Sequence, residues 1–170
     1  MGERRCKIRR GIKWVALGIG AGILIKLFVL DLLVVSGTSM SPRIPDGASL
    51  LVAKCAYGII RPFSGDLLLQ ISQPRRNDVV VYRHNGKIVV KRCVAVEGDA
   101  LDFFSETSYT CRVNGLEISL TEGQYQRIKH SARVPEGMIF AVGDNYDESV
   151  DSRDYGFVSV RNMLGKGLWR

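Results

Sequence analysis

The chain has 170 residues, 46% of them hydrophobic, and a net charge of +7 from 24 basic and 17 acidic residues. That length suits one well-cored domain. The excess charge sits in residues 1–13, where Arg4, Arg5, Lys7, Arg9, Arg10 and Lys13 face only Glu3; the remainder carries 18 basic and 16 acidic residues, which argues against a nucleic-acid-binding face.

The first element follows that basic tail. Trp14 to Leu30 is an apolar run interrupted only by Lys26. It is short against the roughly 20 residues that span a bilayer, but Lys26 can snorkel and Leu32 to Val35 prolong the apolar stretch past Asp31. A transmembrane helix over 14–35 is expected, with a cytoplasmic tail at 1–13 and an extracytoplasmic domain at 36–170. A cleaved leader and a buried core helix are the alternatives; the leader lacks a small-x-small site after its apolar run.

Short β-rich segments come next: Ser49–Val52, Leu67–Ile71, Asp78–Arg83, Lys87–Val96, Leu101–Phe104, Tyr109–Val113, Met138–Gly143 and Gly156–Val160. Asn85-Gly86 between two valine-rich runs predicts a hairpin with a two-residue type I′ turn. Asn114-Gly115 predicts another turn. Residues 102–133 are more polar and read as an inserted subdomain. The fold class expected is mainly β, a coiled and partly barrel-like antiparallel sheet domain with one N-terminal transmembrane helix. Cys6, Cys55, Cys93 and Cys111 show no metal-ligand spacing, and at most one disulfide fits in the domain, small buried hydrophobes being the favoured role. Neither a metal nor a cofactor is expected.

Three stretches carry chemistry. The first is Gly37-Thr38-Ser39-Met40-Ser41-Pro42. Gly37 permits a tight turn, Ser39 supplies a hydroxyl that needs a base to become nucleophilic, and the Ser39 N–H can face an oxyanion. Met40 supplies an apolar wall. The second is Val89-Val90-Lys91-Arg92, where Lys91 shares a strand face with Val89 and Cys93 and, counting through the hairpin, opposes Val80. Such burial disfavours the ammonium and favours a neutral amine able to act as base. A catalytic histidine would have to be His84 or His130; neither is near a motif, and both are expected on the surface. The third stretch runs from Gly143 to Arg153, opening on the turn-forming Gly143-Asp144-Asn145. Asp147, Glu148 and Asp154 read as solvated surface acids.

The three stretches, in this order, resemble the type I signal peptidase family of membrane-anchored Ser-Lys endopeptidases from about Asp31 to the C-terminus. The resemblance implies Ser39 as nucleophile and Lys91 as base. It further implies that Ser149 hydrogen-bonds the lysine amine and that Asp151 and Arg153 form a supporting ion pair. Self-cleaving repressors share this chemistry on a related β fold, with a helix-turn-helix in place of the apolar run. Gly37 stands where many members carry an oxyanion-binding serine, Tyr146 replaces an arginine, Glu97 a proline and Asn77 a glycine. The implied reaction is removal of leader peptides after small-x-small sequences such as Ala-x-Ala. Val35, Met40, Val89 and Val90 are expected to hold the extended leader in shallow pockets. The implied partners are preprotein signal peptides and the lipid bilayer, near the secretion translocon, with no nucleic acid. The location is the cell membrane, or in a specialised relative the mitochondrial inner membrane. A catalytically silent tethered binding module is the reading from another class, and the presence of both Ser39 and Lys91 disfavours it.

Overall fold

The computed structural model describes the backbone of residues 2–61, 67–106 and 108–169, with side chains from residue 13 onward except Ile60. The chain opens with helix α1 (Gly2–Phe28). Strand β1 (Leu30–Val34) follows after a single residue. This corrects the expected extension of the anchor: Leu32 to Val34 alternate across a strand that pairs antiparallel with β2 (Ser49–Ala53), Leu33 opposite Leu50. Val35 beyond them is buried in a core rather than continuing a helix. Among the described residues no helix is long and apolar enough to cross a membrane. The tail's basic side chains before Lys13 lie outside the described residues.

Where α1 meets the sheet, Lys54 ties the two together. Its Nζ donates to the Lys26 carbonyl at 3.2 Å and pairs with Asp31 Oδ2 at 2.9 Å, and the Lys54 N–H donates to the Val29 carbonyl at 2.8 Å. A lysine on the last carbonyls of a helix also suits the helix dipole.

After β3 (Gly58–Ile60) and β4 (Leu67–Gln70), which pair with each other, comes the predicted hairpin of β5 (Val79–His84) and β6 (Lys87–Val96). Asn85 at φ +48° and Gly86 at φ +76° form its turn, and the register sets Lys91 opposite Val80. Three strands, β7 (Asp102–Phe104), β8 (Thr110–Val113) and β9 (Leu116–Ser119), make a separate small sheet. Helix α2 (Glu122–Ile128) follows, closed by a capping box in which Thr121 and Gln124 exchange hydrogen bonds. The remaining elements are β10 (Met138–Val142), α3 (Ser152–Tyr155), β11 (Val158–Ser159) and β12 (Met163–Leu168). The main sheet has seven strands in the order β1-β2-β12-β5-β6-β10-β11, all pairs antiparallel. The fold is thus mainly β and antiparallel, as expected.

Both faces of β5 are covered. Val79 and Val81 join a core with Met40, Ile44, Leu50 and Val52, whereas Val80 and Tyr82 join another with Cys93, Ala141 and Met163. A third core packs β6 and β10 against the small sheet through Val94, Phe140, Cys111 and Ile118. Cys93 and Cys111 are buried thiols as expected; Cys55 is exposed, and all three are free.

Asp99 staples the main sheet to the small one. Its carboxylate accepts the Arg76 guanidinium, the Val96 N–H at 2.9 Å and the Asn114 side-chain amide at 2.8 Å. Burial alone would raise its pKa, but those donors more than offset it and hold the group at about 2. Its stabilisation is therefore present above the ordinary carboxylate value and lost as pH falls through about 2. Asp99→Ala should cost about 1–2 kcal/mol near neutral pH, because it removes the shared acceptor of the partly buried Arg76, Val96 and Asn114 donors. It should also flatten the loss of stability on the acid side. Urea unfolding of both proteins across that acid range measures the two effects.

Candidate active site

Ser39 lies in the loop between β1 and β2. Gly37 stands at φ +99°, a conformation that suits glycine, and Asp46 Oδ1 fixes its N–H at 2.7 Å. Met40 is fully buried beside Ile44 and Leu50, so the residue after the serine pins the turn to the core. Burial of such a side chain contributes about 1.5–3 kcal/mol. The Ser39 carbonyl accepts the Asn145 N–H at 3.0 Å, and Asn145 Nδ2 donates to the Thr38 carbonyl at 3.2 Å. No acceptor takes the Ser39 N–H among the described residues, which leaves it free for an oxyanion.

Lys91 is only 4% exposed, and its Nζ lies 2.7 Å from Ser39 Oγ. Burial lowers its pKa below the ordinary lysine value; Asp151 opposes this and Arg153 adds to it. β10 pairs with β6 only as far as Arg92, opposite Val142. Lys91 therefore sits where β6 loses its partner strand.

Behind Lys91 the Gly143–Arg153 loop closes on itself. The fully buried Asp151 accepts the Ser149 hydroxyl at 2.6 Å, the Gly143 N–H at 3.0 Å and Arg153 Nε at 2.9 Å. Arg153 also donates to the Tyr146 and Ser149 carbonyls at 2.9 and 3.2 Å. The ion pair expected of Asp151 and Arg153 is present. Ser149 differs from expectation: its proton goes to Asp151, and no hydrogen bond joins it to Lys91 among the described residues. Asp144 makes a two-pronged pair with Arg92, 2.6 Å on each arm, a partnership the opposed strand faces of Lys91 and Arg92 had not suggested.

The departures from the family pattern have local reasons. Asn77 stands at φ +69°, a left-handed position that asparagine tolerates next best after glycine. Tyr146 presents its ring to the Arg153 guanidinium at 5.5 Å. Glu97 Oε2 accepts the Gly137 N–H at 2.9 Å.

A groove of about 520 Å³ runs up to Ser39 and Lys91. Val35, Met40, Val89 and Val90 line it together with Thr38, Glu148 and Val150, which sequence reasoning missed. Two acids read as solvated surface groups prove engaged: Glu148 accepts the Thr38 hydroxyl, and Asp154 accepts the Asp151 N–H at 3.0 Å. Neither histidine lines the groove. His84 stacks on Tyr155 at 3.9 Å between ring centroids, and His130 is exposed. Among the described residues no group of three or more His, Cys, Asp or Glu is placed to hold a metal.

Gly143 is fixed by contact rather than by backbone angle. A Cβ there would fall 2.2 Å from Ser149 Oγ and 2.5 Å from the Ser39 carbonyl oxygen. Gly143→Ala should displace both serines and lower kcat/KM by about 100-fold or more, the usual penalty for a misplacement near 1 Å. Peptide cleavage kinetics beside a thermal melt separate this local effect from global unfolding.

Comparison with known proteins gives the family. The family described as signal peptidase, peptidase S26, matches residues 8–170. A signal peptidase I of Bacillus caldolyticus is 32% identical, the alignment covering 94% of this chain and 90% of that protein. A probable signal peptidase I-1 of Synechocystis is 27% identical over 96% of this chain and 82% of its own. A crystal structure of a signal peptidase I from Enterococcus faecalis is similar at 28% identity and a TM-score of 0.40, covering 57% of this chain and 98% of that one. With the match extending over nearly the whole sequence, the chain belongs to the S26 family of signal peptidases and is a serine-peptidase hydrolase of the signal peptidase I type.

Proposed function

We propose that the chain is a membrane-anchored endopeptidase that cuts leader peptides from exported preproteins after small-x-small sequences by a Ser39–Lys91 dyad. The observation that carries the reading is the 2.7 Å approach of Lys91 Nζ to Ser39 Oγ, with the lysine 4% exposed and its pKa lowered chiefly by burial. In this mechanism the neutral amine takes the Ser39 proton as Oγ attacks the scissile carbonyl carbon. The oxyanion accepts the Ser39 N–H. Collapse of the tetrahedral intermediate breaks the C–N bond, and the Lys91 ammonium returns its proton to the leaving amine. Water, deprotonated by Lys91, then hydrolyses the acyl ester and frees Ser39. Asp151, Arg153 and Ser149 hold the wall behind the amine.

The leader lies extended in the groove between two strand edges. β1 is the outer strand of the main sheet, and β6 from Lys87 to Lys91 lacks a partner on the side that faces β10 farther along. Both edges present N–H and C=O groups to an added peptide strand. Val35, Val89, Val90 and Met40 crowd the groove and favour side chains of alanine size.

The anchor is α1. Its apolar side chains are exposed on every side, among them Val15, Leu17, Ile19 and Leu24 at 59–63%, and none of the described residues covers them. Lys13 and Lys26 bracket this stretch and would carry their ammonium groups to the two interfaces, with the basic tail in the cytoplasm. The catalytic domain then lies outside, near emerging leaders.

Ser39→Ala should abolish cleavage while the protein stays folded. Lys91→Arg should be as inactive as Lys91→Ala, because a guanidinium stays protonated and cannot accept the Ser39 proton. Wild-type kcat/KM should fall on the acid side as Lys91 becomes protonated, and rise as pH climbs through its lowered pKa. Mass-spectrometric mapping of one preprotein cut by detergent-solubilised enzyme, over a pH series, tests the set; near wild-type turnover by Lys91→Arg would refute the dyad.

Topology has its own test. Protease added outside intact cells or spheroplasts should digest the domain and leave the basic tail. Protection of the domain would reverse the orientation.

A further inference from the structure

The groove holds one acid beside the nucleophile. Glu148 lines it with Ser39 and Lys91 and is exposed. Its Oε2 accepts the Thr38 hydroxyl, and Asn145 Nδ2 approaches the same oxygen at 3.4 Å. Thr38 directly precedes the nucleophile, and Asn145 is already bonded to the Thr38 and Ser39 carbonyls. The carboxylate is therefore held at the Ser39 end of the groove rather than swinging in solvent. No cation pairs with it among the described residues. The other groove residues are apolar or uncharged, apart from Lys91, whose working form is the neutral amine.

We propose that Glu148 is a specificity-determining residue that selects for positive charge, and against negative charge, in the first residues of the mature protein beyond the cut. This rests on Ser39 being the nucleophile. The apolar walls at Leu33–Val35 and Ile88–Val90 lead up to the dyad and take the leader side of the substrate. Glu148 belongs to a different element, the loop after β10, whose Asn145 is bonded to the Thr38 and Ser39 carbonyls. In this assignment the chain leaving the scissile bond passes over that loop. A Lys or Arg there gains a charge-assisted hydrogen bond to a carboxylate that has no other cation, and an Asp or Glu meets repulsion at close range. The charges acting on Lys91 are those of Asp151 and Arg153, so Glu148 addresses the substrate and not the base.

The test is a peptide series with one fixed small-x-small leader and Lys, Gln or Glu at each of the first three positions after the cut. The wild type should favour Lys over Glu at one or more of these positions by about two- to fivefold in kcat/KM, the scale of an exposed charge pair. Glu148→Gln, which keeps an acceptor for Thr38, should bring that ratio close to one, and Glu148→Lys should invert it. The acid limb of the pH profile should stay in place in Glu148→Gln. Salt of about 1 M, with a Debye length of about 3 Å, should compress the wild-type ratio. An unchanged ratio in Glu148→Gln would overturn the proposal, as would a flat wild-type series or a preference that responds only on the leader side of the cut. Loss of the underlying reaction reads differently: Ser39→Ala would then turn over the Gln peptide as fast as the wild type, whatever the charge ratio.

Discussion

One buried carboxylate organises the catalytic end of the molecule. Asp151 is fully shielded from solvent and accepts the Ser149 hydroxyl, the Gly143 N–H, and the Arg153 backbone and guanidinium. An isolated charge in that position would be very costly. With Arg153 beside it and every remaining lone pair occupied, it becomes a rigid node. The node decides where β10 ends, since Gly143 turns its N–H to Asp151 instead of continuing the ladder along β6. That early ending leaves the β6 edge open at Lys91.

The same pair governs the field at the amine. Asp151 alone would favour an ammonium at Lys91, and Arg153 counters it, so desolvation remains the dominant influence. The packing there is close enough to exclude a single methyl group at Gly143, which brings Ser39, Ser149 and the β10 exit into mutual contact. Geometry and electrostatics thus have one source, an ion pair that touches neither Ser39 nor Lys91.

Local chemistry was legible in the sequence, and tertiary chemistry much less so. The β5–β6 hairpin could be read because a two-residue Asn-Gly turn fixes its register, and counting from it places Lys91 opposite Val80. β1 was masked because its apolar residues continue the composition of the helix before it. β12 was hidden by Gly165 and Gly167, which leave no alternating pattern; a Cβ at those positions would strike the Ala53 carbonyl oxygen at 2.6 Å and Val79 Cγ1 at 2.8 Å. Helix α2 did announce itself through Thr121 and Gln124 at capping-box spacing, a signal lost in the polarity of its surroundings. The serine, the lysine and the closing loop carry motifs. Glu148 carries none, because it meets Thr38 across 110 residues and by spacing alone is an ordinary surface acid. The hydroxyl of Ser149 likewise chose between partners that spacing does not distinguish.

The joint between α1 and β1 sets a scale for the whole reaction. One residue separates them, and Lys54 clamps the helix end to the sheet from the side. Five strand residues, about 16 Å at 3.3 Å each, then lead into the loop of the nucleophile. With α1 in the bilayer as proposed, the height of the scissile bond above the lipid is a built-in dimension, like the gap of a caliper. A leader is then chosen partly by how far its small residues stand from the end of its own apolar segment, a measurement made by covalent geometry before any pocket is filled.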